Sequence, residues 1–391
     1  MKLRAPEGAL IVAHCAGMLD LVALPVWMGA ALIGSLQLDP QQAGLLVTLF
    51  LGGQVVANLL LAPRFGRLSP RLLMTVGFAL ATLAFIGVFA ANTYVLMALL
   101  HLLGGVGAGT ALSCTHGLMG RSQNPHRLFA LAGLALGLFG ILVLGSGPVI
   151  VAKMGGAFLF LLFAFACLVA ALASWMLLDK PAGNSGLAAA APASTRLYAP
   201  LGRPVWLAML GIGCMSLANA MLFSFVERIG MDRGYGLSVV TSVLIAVGLF
   251  NLLPPLLAAL LEKRLPRLRV LLAGPVCQML LALLMTSFDA LPVFAVTATV
   301  WVGIMIFTHT FVFGLLAELD PSGRATAATP SMLMVGSAIG PVLAGSLVKI
   351  SGYEGLGIAV VLVALLSLVC FVLLQGAVRQ RAEMLASPGS L

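Results

Sequence analysis

The side chains with the clearest chemical potential are a carboxylate and an imidazole embedded in apolar sequence. Asp20 is the only carboxylate in the middle of a long apolar run, and His101 lies within another such run. A charge inside a bilayer is costly, so buried ionisable residues of this kind are candidates for function. An Asp–His pair can bind and release a proton near neutral pH. We therefore predict that Asp20 and His101 pair and carry protons, the alternative being a hydrogen-bonded pair that only fixes helix packing.

A second group of residues is predicted to line a substrate cavity. It comprises Trp27, Asn219, Trp301 and His309. The two indoles could stack on a substrate, although packing against lipid or the protein core is the alternative. No Lys or Arg lies inside an apolar run, and a cavity for an organic anion usually needs a fixed positive charge. These features favour a neutral or cationic, partly apolar compound.

Other functional classes find little support in the sequence. It contains no H-E-x-x-H, no G-x-S-x-G and no paired carboxylates, so we expect no enzyme activity and no cofactor. The six cysteines show no C-x-x-C spacing, and we expect no metal site. The basic residues that give the net charge of +9 lie in short loops, so we expect no nucleic-acid partner. Glu227 stands beside Arg228, where a solvated ion pair is the default expectation.

Composition indicates a protein that crosses a membrane many times. Hydrophobic residues make up 61% of the chain, charged residues only 8%, and the mean hydropathy is +1.13. Soluble domains carry roughly a quarter charged residues. Spans of roughly 20 apolar residues are predicted near 8–34, 42–62, 72–91, 94–118, 128–151, 155–178, 205–227, 236–261, 270–287, 292–316, 326–349 and 355–377. Residues 179–204, rich in Pro, Gly, Ala and Ser, are predicted to be a linker between residues 1–178 and 205–391.

The two parts of the chain carry the same pattern. Positions separated by 197 residues match without a gap: Arg67 with Arg264, Gly77 with Gly274, and Arg127 with Arg324. Because loops as well as apolar runs align, we interpret the chain as two tandem copies of one structural repeat. Chance matching of Leu-rich sequence is the alternative.

The distribution of basic residues predicts the orientation. Of the 21 Lys and Arg residues, only four fall on the side opposite the N-terminus: Lys153, Arg228, Arg233 and Lys349. The positive-inside rule then puts both termini and the linker in the cytoplasm.

These features resemble the major facilitator superfamily. The loop between the second and third spans matches the family's signature at Leu61, Ala62, Arg64, Gly66 and Arg67, with Pro63 where the family has an acidic residue. The fourth span reads HLLGGVGAG from His101, which stands in place of an arginine, and GSAIGPVLAG (336–345) resembles the antiporter motif. The resemblance implies that Arg64, Gly66 and Arg67 form a gating loop.

We therefore predict an all-α membrane protein of 12 transmembrane helices, arranged as two six-helix pseudo-repeats. The resemblance implies a proton-coupled secondary transporter, an antiporter that exports a small amphipathic compound; uptake by proton symport or uniport is the main alternative. A membrane enzyme, a channel and a transport-dead sensor are the other classes considered. The expected partners are a small-molecule substrate, protons and the lipid bilayer. We expect a monomer in the cell inner membrane.

Overall fold

The described part of the protein is almost entirely helical. A computed structural model describes residues 4–61, 69–178, 201–320 and 324–386. The helices are α1 (Ala5–Gly17), α2 (Leu19–Pro25), a π-helix (Val26–Ser35), α3 (Pro40–Leu61), α4 (Pro70–Ala90), α5 (Tyr94–Gly120), α6 (Pro125–Met154), α7 (Ala157–Leu177), α8 (Arg203–Phe223), α9 (Val226–Asp232), α10 (Leu237–Phe250), α11 (Leu253–Leu261), α12 (Arg267–Ser287), α13 (Leu291–Leu319) and α14 (Arg324–Ala386). Within the described residues, eleven helical stretches are long and apolar enough to cross a membrane.

The last of these stretches contains a break. Helix α14 is 63 residues long, which at 1.5 Å per residue is about three times the roughly 30 Å apolar thickness of a bilayer. At Gly352 the backbone leaves the helical region, with a φ of 67° that favours glycine. The spans predicted near 326–349 and 355–377 lie on either side of this residue.

The first span is irregular along its length. The α-helix is interrupted at Met18 (φ −106°, ψ 19°), so that α2 begins immediately before Asp20. After Pro25 the chain continues as a ten-residue π-helix, a rare geometry that is often found at functional sites. The span that ends with α9 is also interrupted, at residues 224–225. Both irregular spans meet near their C-terminal ends.

Glycines allow the N-terminal helices to pack closely. A Cβ at Gly105 would overlap the backbone of Phe50, and one at Gly109 would lie 2.5 Å from the Cα of Gln54. Helix α5 therefore lies directly against α3, as small residues permit between membrane helices. On another face of α5, a Cβ at Gly107 would lie 2.5 Å from the carbonyl oxygen of Gly77 in α4.

The N-terminal helices (4–178) and the C-terminal helices (201–386) contact each other at several places, including α6 with α10. One of these contacts is at the end of the bundle that holds the turn at 36–39, which we call the distal end. There Gly44 packs on the carbonyl of Pro341 and Gly345 on that of Pro40. The Val342 N–H donates to Thr48 Oγ1 at 3.2 Å. We call these two segments, 39–48 and 341–349, the distal gate. The opposite, proximal end holds Arg4.

Candidate functional site

Asp20 is held where three helices approach one another. It lies in the first turn of α2, just after the interruption at Met18. Gln54 of α3 donates from Nε2 to Asp20 Oδ1 at 3.2 Å and lies 3.2 Å from the Gly17 carbonyl oxygen. Gln54 is itself 1% exposed and covered by α5 at Gly109. The glycine of α5 and the amide of α3 thus fix a half-buried carboxylate inside the N-terminal helices.

The predicted pair of Asp20 with His101 is wrong. His101 is completely buried, and its Nδ1 lies 2.7 Å from the Met97 carbonyl oxygen on its own helix. Its other ring nitrogen, Nε2, has no hydrogen-bond partner. The ring stacks on Trp27 at a centroid distance of 5.6 Å. Depth along a helix suggested the pair, but the side chain turns into an aromatic cluster and away from the carboxylate.

Trp27 lies in that same cluster rather than against a central cavity. The indole is completely buried and contacts the rings of Phe50, Phe85, Phe160 and Phe163. All of these residues belong to the N-terminal helices. The predicted contact of Trp27 with a substrate is therefore not supported in this conformation, because its neighbours fill the space around it.

Two of the residues predicted in the C-terminal helices do meet. Trp301 of α13 is fully buried and donates from Nε1 to the backbone oxygen of Asn219 at 3.3 Å. The side-chain oxygen of Asn219 is buried without a partner. Full burial of Trp301 argues against a cavity-lining role in this conformation, whereas the unpaired amide oxygen leaves Asn219 as a candidate for substrate contact.

His309 lies about two turns further along α13. Its Nδ1 is 3.3 Å from the Met305 carbonyl oxygen, and its ring meets Phe313 edge-on at 5.4 Å. It is half-buried and separate from the Asn219–Trp301 contact. The predicted gating-loop residues Arg64, Gly66 and Arg67 lie outside the described residues, as does most of the predicted linker.

A histidine pair was not predicted from the sequence. His14 Nδ1 of α1 and His116 Nε2 of α5 lie 3.0 Å apart, and the two ring centroids are separated by 5.2 Å. The residues are 102 positions apart, so no local spacing predicts the contact.

The environment of Glu227 was also predicted wrongly. Arg228 pairs with Asp232 at 2.7 Å, not with Glu227. Glu227 is 3% exposed, and its Oε2 has no hydrogen-bond partner. Adjacent residues on a helix point in different directions, which is why neighbourhood in sequence did not produce the expected ion pair.

A cavity of about 460 Å³ lies between α1, α6 and α7. Its lining is almost wholly apolar, with Cys15 and Ser146 the polar exceptions. Leu19, the neighbour of Asp20, contributes to its wall. Among the described residues, no group of three or more His, Cys, Asp or Glu is arranged to hold a metal ion.

Comparisons with known proteins give a consistent result. The family model described as Major Facilitator Superfamily matches residues 10–329. A search of curated proteins gives no significant match. The crystal structure of the nucleoside transporter NupG superposes with a TM-score of 0.69 at 14% identity, covering 95% of this chain and 98% of that one. A bacterial homologue of the human lysosomal transporter Spinster, inward-facing and occupied, gives 0.70 at 13% identity, covering 95% and 96%. At such identities the structural likeness shows the fold alone.

Proposed function

The chain belongs to the Major Facilitator Superfamily and is therefore a membrane transporter rather than an enzyme, and on this premise we propose that it is a proton-coupled secondary transporter. It works by alternating access, in which two halves rock around a site between them. The observation that supports proton coupling is the position of Asp20, a carboxylate in the middle of the first span that accepts a hydrogen bond from Gln54. A carboxylate in such surroundings is a natural proton carrier because its charged form is costly there.

We propose that the two halves are six-helix repeats joined by the linker. The bounds of the helices support this. The span Pro40–Leu61 recurs as Leu237–Ala258, with both ends displaced by 197 residues, and Pro70–Ala90 recurs as Arg267–Ser287 with the same displacement. When the parts of α14 before and after the break at Gly352 are counted as separate transmembrane helices, the eleven spans become twelve.

The proposed orientation has the proximal end and both termini in the cytoplasm. Three of the four basic residues assigned to the other side are found in distal ion pairs: Arg228 with Asp232, Arg233 with Asp289, and Lys349 with Asp39. In a bacterial cell this orientation corresponds to the inner membrane. The Arg64, Gly66 and Arg67 segment then joins α3 to α4 on the cytoplasmic side, where a gating role fits.

The proposed substrate is a small neutral or cationic organic compound that is partly apolar, and the proposed direction is export. The large apolar cavity beside Leu19 and the buried, unpaired amide oxygen of Asn219 support an amphipathic ligand. Proton-linked or uncoupled uptake is the second candidate. It is favoured by the likeness of fold to NupG, a nucleoside transporter.

The test is proton movement in proteoliposomes that hold the purified protein and a pH-sensitive dye. Lipophilic cations, nucleosides and neutral metabolites are added in turn, with and without an imposed pH gradient. We expect substrate-dependent proton movement with the native chain and its loss with Asp20→Asn. Glu354→Gln, which removes an exposed carboxylate, is the matched control and should behave as the native chain does. Substrate flux without proton movement in every variant would identify a uniporter and refute coupling.

A further inference from the structure

The most unusual buried charge outside the Asp20 site is Glu227 at the distal end. It lies on α9, the short helix that follows the interruption at residues 224–225. The side chain is 3% exposed, although α9 lies at the end of its span. Neither the helix motifs nor the Asp20 site accounts for a carboxylate in this position.

Glu227 points across the boundary between the N-terminal and C-terminal helices. A Cβ at Gly29, in the π-helix, would overlap Glu227 Oε2 and would lie 3.1 Å from the backbone nitrogen of Arg228. The absence of a side chain at Gly29 therefore makes the space that the carboxyl group occupies. A Cβ at Gly34, five residues on, would lie 3.5 Å from Nη1 of Arg228. The carboxyl group is thus enclosed only while α9 and the π-helix remain together.

The surrounding charged groups do not neutralise Glu227. On its own helix, Arg228 is engaged by Asp232 at 2.7 Å, and Asp232 also accepts from the Tyr353 hydroxyl of α14 at 2.6 Å. Of the other elements packed on α9, the π-helix and α10 contribute no titratable side chain, and α2 contributes Asp20, which is bonded by Gln54. Glu227 Oε2 has no hydrogen-bond partner. Arg228 and Tyr353 therefore both bind Asp232, and neither forms a hydrogen bond to Glu227 Oε2.

Burying a carboxylate that lacks a hydrogen-bond partner is costly, whereas burying the neutral acid costs far less. Closing α9 on the π-helix is consequently favoured when Glu227 carries a proton. Opening admits water and allows the proton to leave. The two equilibria are linked, since any ligand that binds one conformation better shifts the population toward it.

From this geometry we propose that Glu227 is a second proton-binding site, which binds a proton when the distal gate closes and releases it to the distal solution when the gate opens. The proposal rests on the proposed alternating-access function, but it is independent of Asp20 and of the identity of the substrate. It makes distal opening sensitive to the proton concentration on that side. The proton is exchanged directly between the carboxyl group and water, and no other protein group takes part.

The experiment measures the gate directly, without substrate. Spin labels are attached at Gln42→Cys and Glu354→Cys, two exposed positions on opposite sides of the boundary, in a chain whose native cysteines are replaced. Double electron–electron resonance then measures the distance between the two labels at the distal end. The pH is varied between about 5 and about 9, where exposed carboxyl groups with ordinary pKa values near 4 stay ionised. We expect the native chain to shift from a short to a longer distance as the pH rises.

Three variants identify the group that responds. Glu227→Gln, which imitates the protonated acid, should stay at the short distance across the whole range. Glu227→Asp keeps an ionisable group and should retain the shift, and so should Asp232→Asn. An undiminished shift in Glu227→Gln, or no shift in the native chain, would overturn the proposal. Asp20→Asn should also retain the shift in distance. The loss of the pH-dependent shift and the loss of proton-coupled transport can therefore be observed independently of each other.

A second measurement needs no variant and protects the test against misfolding. A protonated carboxyl group in apolar surroundings gives its proton to a nitrogen of a hydrophobic carbodiimide and adds through oxygen to the central carbon of the reagent. The adduct rearranges to a stable N-acylurea, and mass spectrometry of the digested protein identifies the modified residue. We expect modification of Glu227 in native protein at acidic pH and its loss at alkaline pH. Glu227 left unmodified at acidic pH, or modified equally throughout, would contradict the proposal.

Discussion

Gly44 of α3 lies against the carbonyl group of Pro341 in α14, so closely that a Cβ would overlap the carbonyl and lie 3.0 Å from the Val342 Cα. The contact is mirrored by Gly345, which packs on the carbonyl of Pro40. Each side of the distal gate thus supplies one glycine and one proline carbonyl. Backbone cannot move aside as a flexible side chain does, so closure depends on these two glycines.

We predict that Gly44→Ala opens the distal gate. Overpacking of this kind costs roughly 1–3 kcal/mol, which corresponds to a roughly 5–150-fold change in the ratio of closed to open protein. The spin-label pair at residues 42 and 354 measures the ratio. Gly52→Ala is the control on the same helix, because a Cβ there meets no atom within 4 Å. Equal distances in both variants would contradict the role of Gly44.

A second prediction concerns Asp39, which lies between two spans and accepts from Lys349 Nζ at 3.2 Å across the boundary. Partial burial alone would raise the pKa of Asp39, but hydrogen bonds from the Gln42 N–H and from Lys349 outweigh it and hold the pKa below its ordinary value. The stabilisation of closure is therefore complete above the ordinary pKa near 4 and is lost only as the pH falls through the lowered value.

Asp39→Asn should accordingly weaken closure by a similar amount at every pH between about 5 and about 9, by at most about 1 kcal/mol because the pair is partly exposed. The pH response attributed to Glu227 should persist in this variant. Distance distributions at low and high ionic strength check the result, since salt screens the native pair and leaves the variant unaffected. A variant that lost the pH response would assign the response to Asp39 instead.

The sequence predicted the helices well because apolar length is a local property. The spans expected near 42–62, 72–91 and 94–118 correspond to α3, α4 and α5. Gln54, a lone amide in the apolar run of α3, bonds Asp20 of a neighbouring helix. A lone polar residue in an apolar run must find a partner, so its importance is visible in sequence.

The partners themselves were not predictable. His101 stands at a depth compatible with Asp20, yet the rotation of α5 is set by Gly105 and Gly109 against α3, and this turns the imidazole toward Trp27. Burial of Glu227 depends on the π-helix and on Gly29 in another part of the chain. Rotation about a helix axis and contacts between distant segments arise from packing, which spacing along one helix does not encode.

A third prediction tests that packing. Gly109→Ala would push α5 from α3 at Gln54, and we expect a loss of roughly 1–3 kcal/mol in the stability of the folded protein. Gly120→Ala in the same helix meets no atom within 4 Å and should leave stability unchanged. Thermal unfolding in detergent, followed by intrinsic fluorescence, compares the two. Displacement of Gln54 should also reduce proton movement in proteoliposomes, because Asp20 loses its hydrogen bond. A Gly109→Ala protein as stable and as active as Gly120→Ala would refute close packing at this position.

The histidine pair gives the fourth prediction. His14 Nδ1 and His116 Nε2 can share one proton across 3.0 Å, one ring donating and the other accepting. Removing either ring leaves a buried nitrogen without its partner, and the expected loss of stability is about 1–3 kcal/mol for His14→Ala or for His116→Ala. Removing both should cost less than the sum of the single losses, since no unpaired nitrogen remains. Thermal unfolding of the native protein, the two single variants and the double variant gives the four stabilities of a double-mutant cycle. Strictly additive losses would mean that the two rings are neighbours without a hydrogen bond between them.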